Sequence, residues 1–438
     1  MDYHMKHLRV FEAFAGYGSQ AMALKRLQAD FPDRLHCEFV GISEIDRYAI
    51  AAYRAVHGDT RNYGDITKIN WGGQMPEFNL FTYSFPCQDI STAGLQRGFS
   101  EGSGSRSSLL WECRKAIETK RPAYLLMENV KALKQKKFMP DFQRWIDYLN
   151  SLGYRSYWAV LNSKDYGIPQ NRERVFMVSF LDHSPFAFPK TLPLTIRLRD
   201  VLEHDVDESY YLSDEHVKNI LEHCARKINE GCGFKPNFVS PDDICGTITA
   251  MYGQRQTDPY LQLFIGEELQ TPLNALQGGD IAPTIPAHYY KAGFRDFMPK
   301  ISPAHVPHLA ILEKCEGKIL QMPHGYNLGS LCDIASALTT SKWQDNNFAI
   351  TGYRIRKLTE REVFRLMGVT DAEIDKINAA EYQHGRKRKQ IPKTQKYKMG
   401  GNSIVVDVLY HVFKAMFIDE PPKPQPIQYS LFDDFPTT

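Results

Sequence analysis

The sequence lacks three features that would place it in other classes of protein. Its eight cysteines (Cys37, Cys87, Cys113, Cys224, Cys232, Cys245, Cys315 and Cys332) contain no CxxC pair, so the usual zinc-ligand spacing is missing and no metal site is expected. No apolar run approaches the roughly 18–20 residues needed to cross a bilayer. The opening MDYHMKHLRVFEAFAG has no charged-then-apolar leader pattern, so neither a membrane location nor a disulfide framework is expected. A cytoplasmic protein is the reading that remains. The formal charge is only +2, so any surface for nucleic acid must come from local clustering. Length and apolar content are ample: 438 residues, 43% of them hydrophobic, suffice for two or three packed units.

Leu8–Phe14, Phe39–Ile42, Leu80–Ser84, Ala123–Met127 and Val175–Phe180 read as strands by length and by β-branched or aromatic content. Helical patterns lie between them, at Ala21, Leu24 and Leu27 and over Ser105–Glu118. This alternation predicts an α/β fold with a doubly wound, mostly parallel sheet. Ligands of such sheets bind beyond the carboxyl ends of the strands. A proline-rich linker at Ser184–Pro193 closes a first domain over 1–193. Over 194–350 short strands, turns and aromatics dominate, predicting a smaller β-rich domain. Three segments there, starting at Asp243, Asp280 and Asp333, share Asp-Ile followed by threonine near an aromatic; they are either a repeat or chance echoes. Helical patterning returns at Thr359–Met367 and Ser403–Phe417, within a return segment 351–418, and the proline-rich 419–438 is expected to be a disordered tail.

Chemistry concentrates after the strands. FEAFAGYGS places Gly16 and Gly18 between a strand ending at Phe14 and a helix, where bare backbone can approach a ligand. Glu44 follows the second strand and can accept from ribose hydroxyls; Asp65 follows at the third position and can accept from an adenine amino group. Either acid could equally be a solvated strand end. TYSFPCQDIS puts Pro86 and Cys87 directly after an apolar strand, before a glycine- and serine-rich stretch suited to a lid. A lone cysteine is ordinarily a small core residue; one held by proline at a sheet edge is not. AYLLMENV ends in Glu128 and Asn129, and QNRERVFMV sets Arg172 and Arg174 at alternate positions, so both point to one face.

Together FAGYG, SFPCQ, MENV, QNRER and YKMGGNSIVVDV (Tyr397–Val408) resemble the ordered motifs of the DNA cytosine-5 methyltransferases, bacterial or phage type. The resemblance spans about residues 8–180 and 354–417. It implies a Rossmann-like catalytic domain that uses S-adenosyl-L-methionine (AdoMet). It also implies a duplex DNA substrate whose target base is flipped from the stack, because carbon 5 is out of reach inside a duplex. Cys87 matches the nucleophile that adds to carbon 6, Glu128 the group that protonates or hydrogen-bonds ring N3, and Arg174 the contact to the cytosine carbonyl. Arg172 would support Arg174, and Asn129 would position the loop or the base. The implied AdoMet contacts are Phe14, Gly16, Gly18, Glu44, Ile45, Asp65, Ile66 and Pro86, with Asn402 and Ser403 opening the final helix and closing the pocket. Ile45 stands where many family members carry tryptophan, replacing ring stacking by aliphatic packing.

For DNA, the resemblance implies Ser91 and Arg97 or Arg106 near the backbone, and a target-recognition role for 194–350. Thr247 and Thr249 match its threonine motif, echoed by Thr284 and Thr339; Gln254, Arg255, Gln256, Lys342 and Gln344 are candidate base readers. Basic clusters at Lys131–Lys137 and Arg386–Lys398 are solvated faces or phosphate contacts. In the tail, QYSLF is similar to peptides that bind the bacterial sliding clamp, through Gln428, Leu431 and Phe432. A monomer is expected. The competing readings are an RNA cytosine-5 methyltransferase and a non-catalytic DNA-binding regulator of the same fold; intact Cys87, Glu128 and Arg174 disfavour the second.

Overall fold

The computed structural model describes residues 5–73, 75–87, 90, 106–230, 237–264, 319–321, 330–332, 347–349 and 353–421. They divide into two compact units, one made by 1–196 with 364–438 and the other by 197–363.

The first unit opens as β1 Lys6–Ala13, α1 Ser19–Asp30, β2 Leu35–Ser43, α2 Arg47–His57 and β3 Leu80–Tyr83. It continues with α3 Cys113–Lys120, β4 Tyr124–Val130, α4 Met139–Ser151, β5 Arg155–Asn162 and β6 Glu173–Phe180. The six strands form one sheet in the order β2-β1-β3-β4-β6-β5. β1 to β4 run parallel, while β6 is antiparallel to both neighbours, β4 and β5.

Alternation along each strand feeds two cores. Leu8, Val10, Leu80, Leu126, Phe176 and Val178 face one. Phe11, Phe81, Leu125, Met127, Val175 and Met177 face the other. A strand apolar on both faces needs cover on both sides, and this dictates the doubly wound arrangement. The expected strands are all present. β5 is an additional strand without a clear sequence signal, because its residues are mostly only partly buried and its alternation is weak.

The second unit holds α5 Asp214–Asn229, a helix in a region read as strands and turns. Two three-stranded sheets accompany it: β7 Phe238–Val239, β8 Tyr260–Phe264 and β12 Tyr353–Arg356 in the order β12-β8-β7, and β9 Ile319–Gln321, β10 Ser330–Cys332 and β11 Asn347–Ala349 in the order β10-β9-β11. Within it Arg356 forms a doubly hydrogen-bonded pair with Glu362, at 2.7 Å for each bond, and both side chains are buried.

After α6 Glu360–Arg365, the chain adds α7 Asp371–Ala379, the hairpin β13 Glu381–His384 and β14 Lys387–Gln390, then α8 Lys393–Asn402 and α9 Val406–Phe417. Val408, Leu409, Val412 and Phe413 of α9 join the core that α1 supplies through Met22, Leu24 and Leu27. The last helix thus closes the first unit onto its own N-terminal elements.

Candidate active site

The site begins where β1 ends. Phe14, Gly16 and Gly18 all adopt left-handed backbone, with φ of 56°, 58° and 89°. For Phe14 this conformation costs about 1–2 kcal/mol, the kind of strain that concentrates at functional sites. A Cβ on Gly18 would lie 2.4 Å from His57 Nε2 and 2.8 Å from Tyr53 Cε2, so glycine alone lets α1 start this close to α2. A Cβ on Gly16 would meet nothing within 4 Å: this glycine borders open space.

The Gly16 N–H donates to Glu44 Oε2 at 2.8 Å, and Glu44 Oε1 accepts from the N–H groups of Ile45 and Asp46, each at 2.8 Å. A carboxylate offers about four lone-pair positions, so these bonds leave capacity for a further hydroxyl. Ile45 is 73% exposed, a bare aliphatic surface beside that carboxylate, whereas Ile66 is buried in the core. Asp65 caps a short turn, Oδ1 accepting from the Thr67 N–H at 3.0 Å and its hydroxyl at 2.9 Å, which draws the carboxyl below its ordinary range. Open space by a glycine turn, a carboxylate and an exposed aliphatic face suit the methionine, ribose and base of AdoMet.

Asn402 and Ser403 do not open the final helix. Asn402 ends α8, Ser403 is its extended C-terminal neighbour, and α9 starts at Val406. The sequence obscured this because Gly400 and Gly401, normally helix breakers, lie within α8. Ser403 still reaches the start of α1, just after the glycine turn, its Oγ 2.5 Å from Ser19 Oγ.

At the end of β3, Ser84–Cys87 is tied from several sides. Asn129 Nδ2 donates to the Phe85 carbonyl at 3.0 Å and Ser107 Oγ to the Pro86 carbonyl at 2.6 Å, while the Cys87 carbonyl accepts from the Ile90 N–H at 3.0 Å. Cys87 is half-buried. Burial pushes its thiol up, Arg174 and Arg172 pull it down, and Glu128 opposes them. Burial likewise raises Glu128, against the pull of Arg174 and Arg172.

Arg174 Nε lies 3.4 Å from Glu128 Oε1. Because β6 runs antiparallel, its first residues stand at the edge where β3 and β4 end. In an all-parallel sheet both arginines would sit at the far edge. Arg172 is buried beside them, its Nη2 donating to the carbonyls of Gly401 at 2.9 Å and Ser403 at 2.5 Å. Burial and the neighbouring Arg174 charge lower it to about 9.

Several residues that support the site carry little or no sequence signal. Glu12 is fully buried in β1; its Oε2 accepts from the Tyr53 hydroxyl at 2.6 Å and its Oε1 from the Ala21 N–H at 3.1 Å. Burial pushes it up to about 7. An acid inside an apolar strand was the available signal. Ser107 gave none, since its partner is a backbone carbonyl. Gln170 Nε2 donates to the Leu366 carbonyl at 2.7 Å, anchoring the segment before Arg172.

Of the candidate DNA residues, Ser91, Arg97, Thr284, Thr339, Lys342 and Gln344 lie outside the described residues, as do the candidate clamp contacts Gln428, Leu431 and Phe432. Arg106 is described only as the backbone start of the turn Arg106–Glu112. In the second unit, Thr247 and Thr249 are half-buried, and Thr249 Oγ1 has no partner among the described residues. Gln254 and Arg255 ride a turn organised by Asp258, whose Oδ2 accepts from Gly253 N–H at 2.7 Å and Arg255 N–H at 3.1 Å. Lys131 is paired with Glu173 at 2.6 Å.

The chain matches the family described as C-5 cytosine-specific DNA methylase over residues 8–418. It belongs to that family. This cytosine-5 DNA methyltransferase is 33% identical over 465 residues to the type II methyltransferase M2.ScrFI of Lactococcus lactis subsp. cremoris, covering 94% of this chain and 99% of that one. It is 28% identical over 462 residues to the orphan methyltransferase M.SPRI of Bacillus phage SPR, covering 94% and 98%. The crystal structure of S. pombe Dnmt2 methyltransferase shares its fold, with a TM-score of 0.57 at 19% identity, covering 93% and 97%. Among the described residues no helix is long and apolar enough to cross a membrane, and no group of three or more His, Cys, Asp or Glu is placed to hold a metal.

Proposed function

We propose that the methyltransferase flips a cytosine out of duplex DNA and methylates it through Cys87, Glu128 and Arg174. The observation that carries this reading is their convergence at one sheet edge, with Arg174 Nε 3.4 Å from Glu128 Oε1 and the Cys87 thiol responding to both charges. Cys87 sulfur adds to carbon 6 and moves electron density onto carbon 5. Burial raises the Glu128 carboxyl above its ordinary range, which favours its donating to N3 as the basicity of that atom grows. Arg174 steadies the charge developing on the ring carbonyl. Arg172, bonded to the Gly401 and Ser403 carbonyls, anchors the start of the strand that carries Arg174, and Asn129 fixes the loop that carries Cys87. Once carbon 5 carries the methyl group, a base such as water takes its proton and the C6–S bond breaks, restoring the ring and releasing Cys87 as the thiolate.

AdoMet, when bound, supplies the electrophilic methyl group. Phe14, Gly16, Gly18 and Ser403 hold its methionine end, with Asn402 and Pro86 nearby; Glu44 binds the ribose, and Ile45, Asp65 and Ile66 the adenine. The 1–193 domain thus carries the catalysis and 194–350 the target recognition, with Thr247, Thr249, Gln254 and Arg255 toward the bases and Ser91, Arg97 and Arg106 toward the backbone. The protein works as a cytoplasmic monomer. Its tail docks on a sliding clamp through Gln428, Leu431 and Phe432; a Leu431→Ala/Phe432→Ala protein keeps methylation and loses clamp pull-down, whereas absence of wild-type clamp binding removes that part.

Transfer of labelled methyl groups to duplex DNA and to tRNA, by wild type and Cys87→Ser, tests the reading. It predicts DNA labelling by wild type alone. Labelling of tRNA instead favours the RNA enzyme.

A further inference from the structure

We propose that the β13–β14 hairpin is a second DNA-binding element, which grips the phosphate backbone beside the target site rather than at it. This rests on duplex DNA being the substrate. The hairpin stands on α2, close to the carboxyl end of β2. Its root is fixed: Tyr382 is buried and packs edge-on against Tyr48 at 4.6 Å, and the Arg47 guanidinium covers both rings at 4.9 and 5.0 Å. Ile391 is buried at the other foot. The turn at Gly385 has φ 61°, the left-handed geometry of a tight hairpin.

Beyond the root nothing apolar remains. Arg386, Lys387, Arg388 and Lys389 are all exposed, and no acidic side chain pairs with any of them among the described residues. Several other cations on this unit find carboxylates: Lys398 pairs with Asp46 at 2.7 Å, Lys131 with Glu173 at 2.6 Å, and Arg26 with Glu373 at 2.7 Å. Four consecutive uncompensated cations repel one another, at a cost that a dense anionic partner removes. A two-stranded ribbon without a core of its own is marginal in water, so rooting one this firmly is a structural investment. DNA offers a phosphate about every 1.7 Å of its axis, and a β-strand advances about 3.3 Å per residue, so one ribbon edge can meet several phosphates. Lysine and arginine alternating onto both faces suit charge contact and carry no base-specific pattern.

The test is the salt dependence of binding to a duplex of about 40 base pairs centred on the methylated site, for wild type and for Arg386→Gln/Lys387→Gln/Arg388→Gln/Lys389→Gln. Each lost phosphate contact lowers the slope of log K against log salt by about 0.9, so a slope shallower by about 2 to 3 is predicted, with binding at least tenfold weaker. On a duplex trimmed to the site itself, the two proteins should bind and methylate alike. A charge-retaining Arg386→Lys/Arg388→Lys protein should keep the wild-type slope. An unchanged slope in the glutamine variant overturns the proposal, as does an equal loss on the trimmed duplex. Methyl transfer to the trimmed duplex reports separately on the catalytic reading.

Discussion

Arg174 and Glu128 meet diagonally across the antiparallel pairing of β6 with β4, Arg174 standing opposite Val130 and Glu128 opposite Phe176, with Nε 3.4 Å from Oε1. The pair joins a cation and a buried acid beside a thiol that both charges influence. Its chemistry depends on the reversal of one strand: β6 brings the start of its sequence to the edge where its parallel neighbours finish.

Asn129 is the link between that edge and the nucleophile. Asn129→Ala removes the donor to the Phe85 carbonyl and leaves the loop that carries Cys87 free to shift. A misplacement of about 1 Å costs about 100-fold, so kcat should fall by roughly that factor while AdoMet affinity, by calorimetry, stays within about threefold. Equal losses in both would assign Asn129 a general folding role.

Arg172 ties the catalytic edge to the segment after α8. Arg172→Ala leaves the Gly401 and Ser403 carbonyls without this donor. Each buried orphan costs about 1–3 kcal/mol, so urea unfolding should show a loss of at least about 2 kcal/mol and AdoMet binding should weaken. Retention of wild-type stability would contradict this role of Arg172.

The two glycines of the turn should respond differently. Gly16→Ala meets no atom, so left-handed strain of about 1–2 kcal/mol is its whole cost. Gly18→Ala adds a collision with His57 and Tyr53, worth roughly 1–3 kcal/mol more. Urea midpoints should rank wild type, Gly16→Ala, Gly18→Ala from most to least stable; the reverse order for the two variants would refute the packing account.

Glu12 should give the fold a pH dependence. Its carboxyl is raised from 4.5 to about 7 by burial. The folded state therefore holds a proton that the unfolded chain releases, and stability is full below pH 4.5 and declines as pH rises through about 7. The shift corresponds to roughly 3 kcal/mol. Between pH 5 and 8 the wild-type urea midpoint should fall relative to Glu12→Gln; parallel curves would show that Glu12 does not titrate there.

Much of this site was legible because its motifs are short and contiguous. Pro86, Cys87, Glu128 and the Gly16–Gly18 turn sit at strand ends that hydrophobic runs define. What escaped depends on direction or distance. Alternation locates β6 but does not tell which way it runs, so alternation alone does not bring Arg172 and Arg174 to the edge where Cys87 and Glu128 stand. Asn402 belongs to α8 and Ser403 to the link after it, rather than to the final helix, because Gly400 and Gly401 stay helical where propensity favours a break. Ser107 and Gln170 act on carbonyls distant in sequence, at Pro86 and Leu366, and no local pattern records such bonds.

The most direct measurement is bisulfite sequencing of DNA from cells expressing the wild-type protein or Cys87→Ser. The wild type should protect cytosines from conversion within one short recurring sequence, and Cys87→Ser should protect none while still binding AdoMet. Full conversion throughout the wild-type sample, or protection that survives the loss of Cys87, would contradict the account.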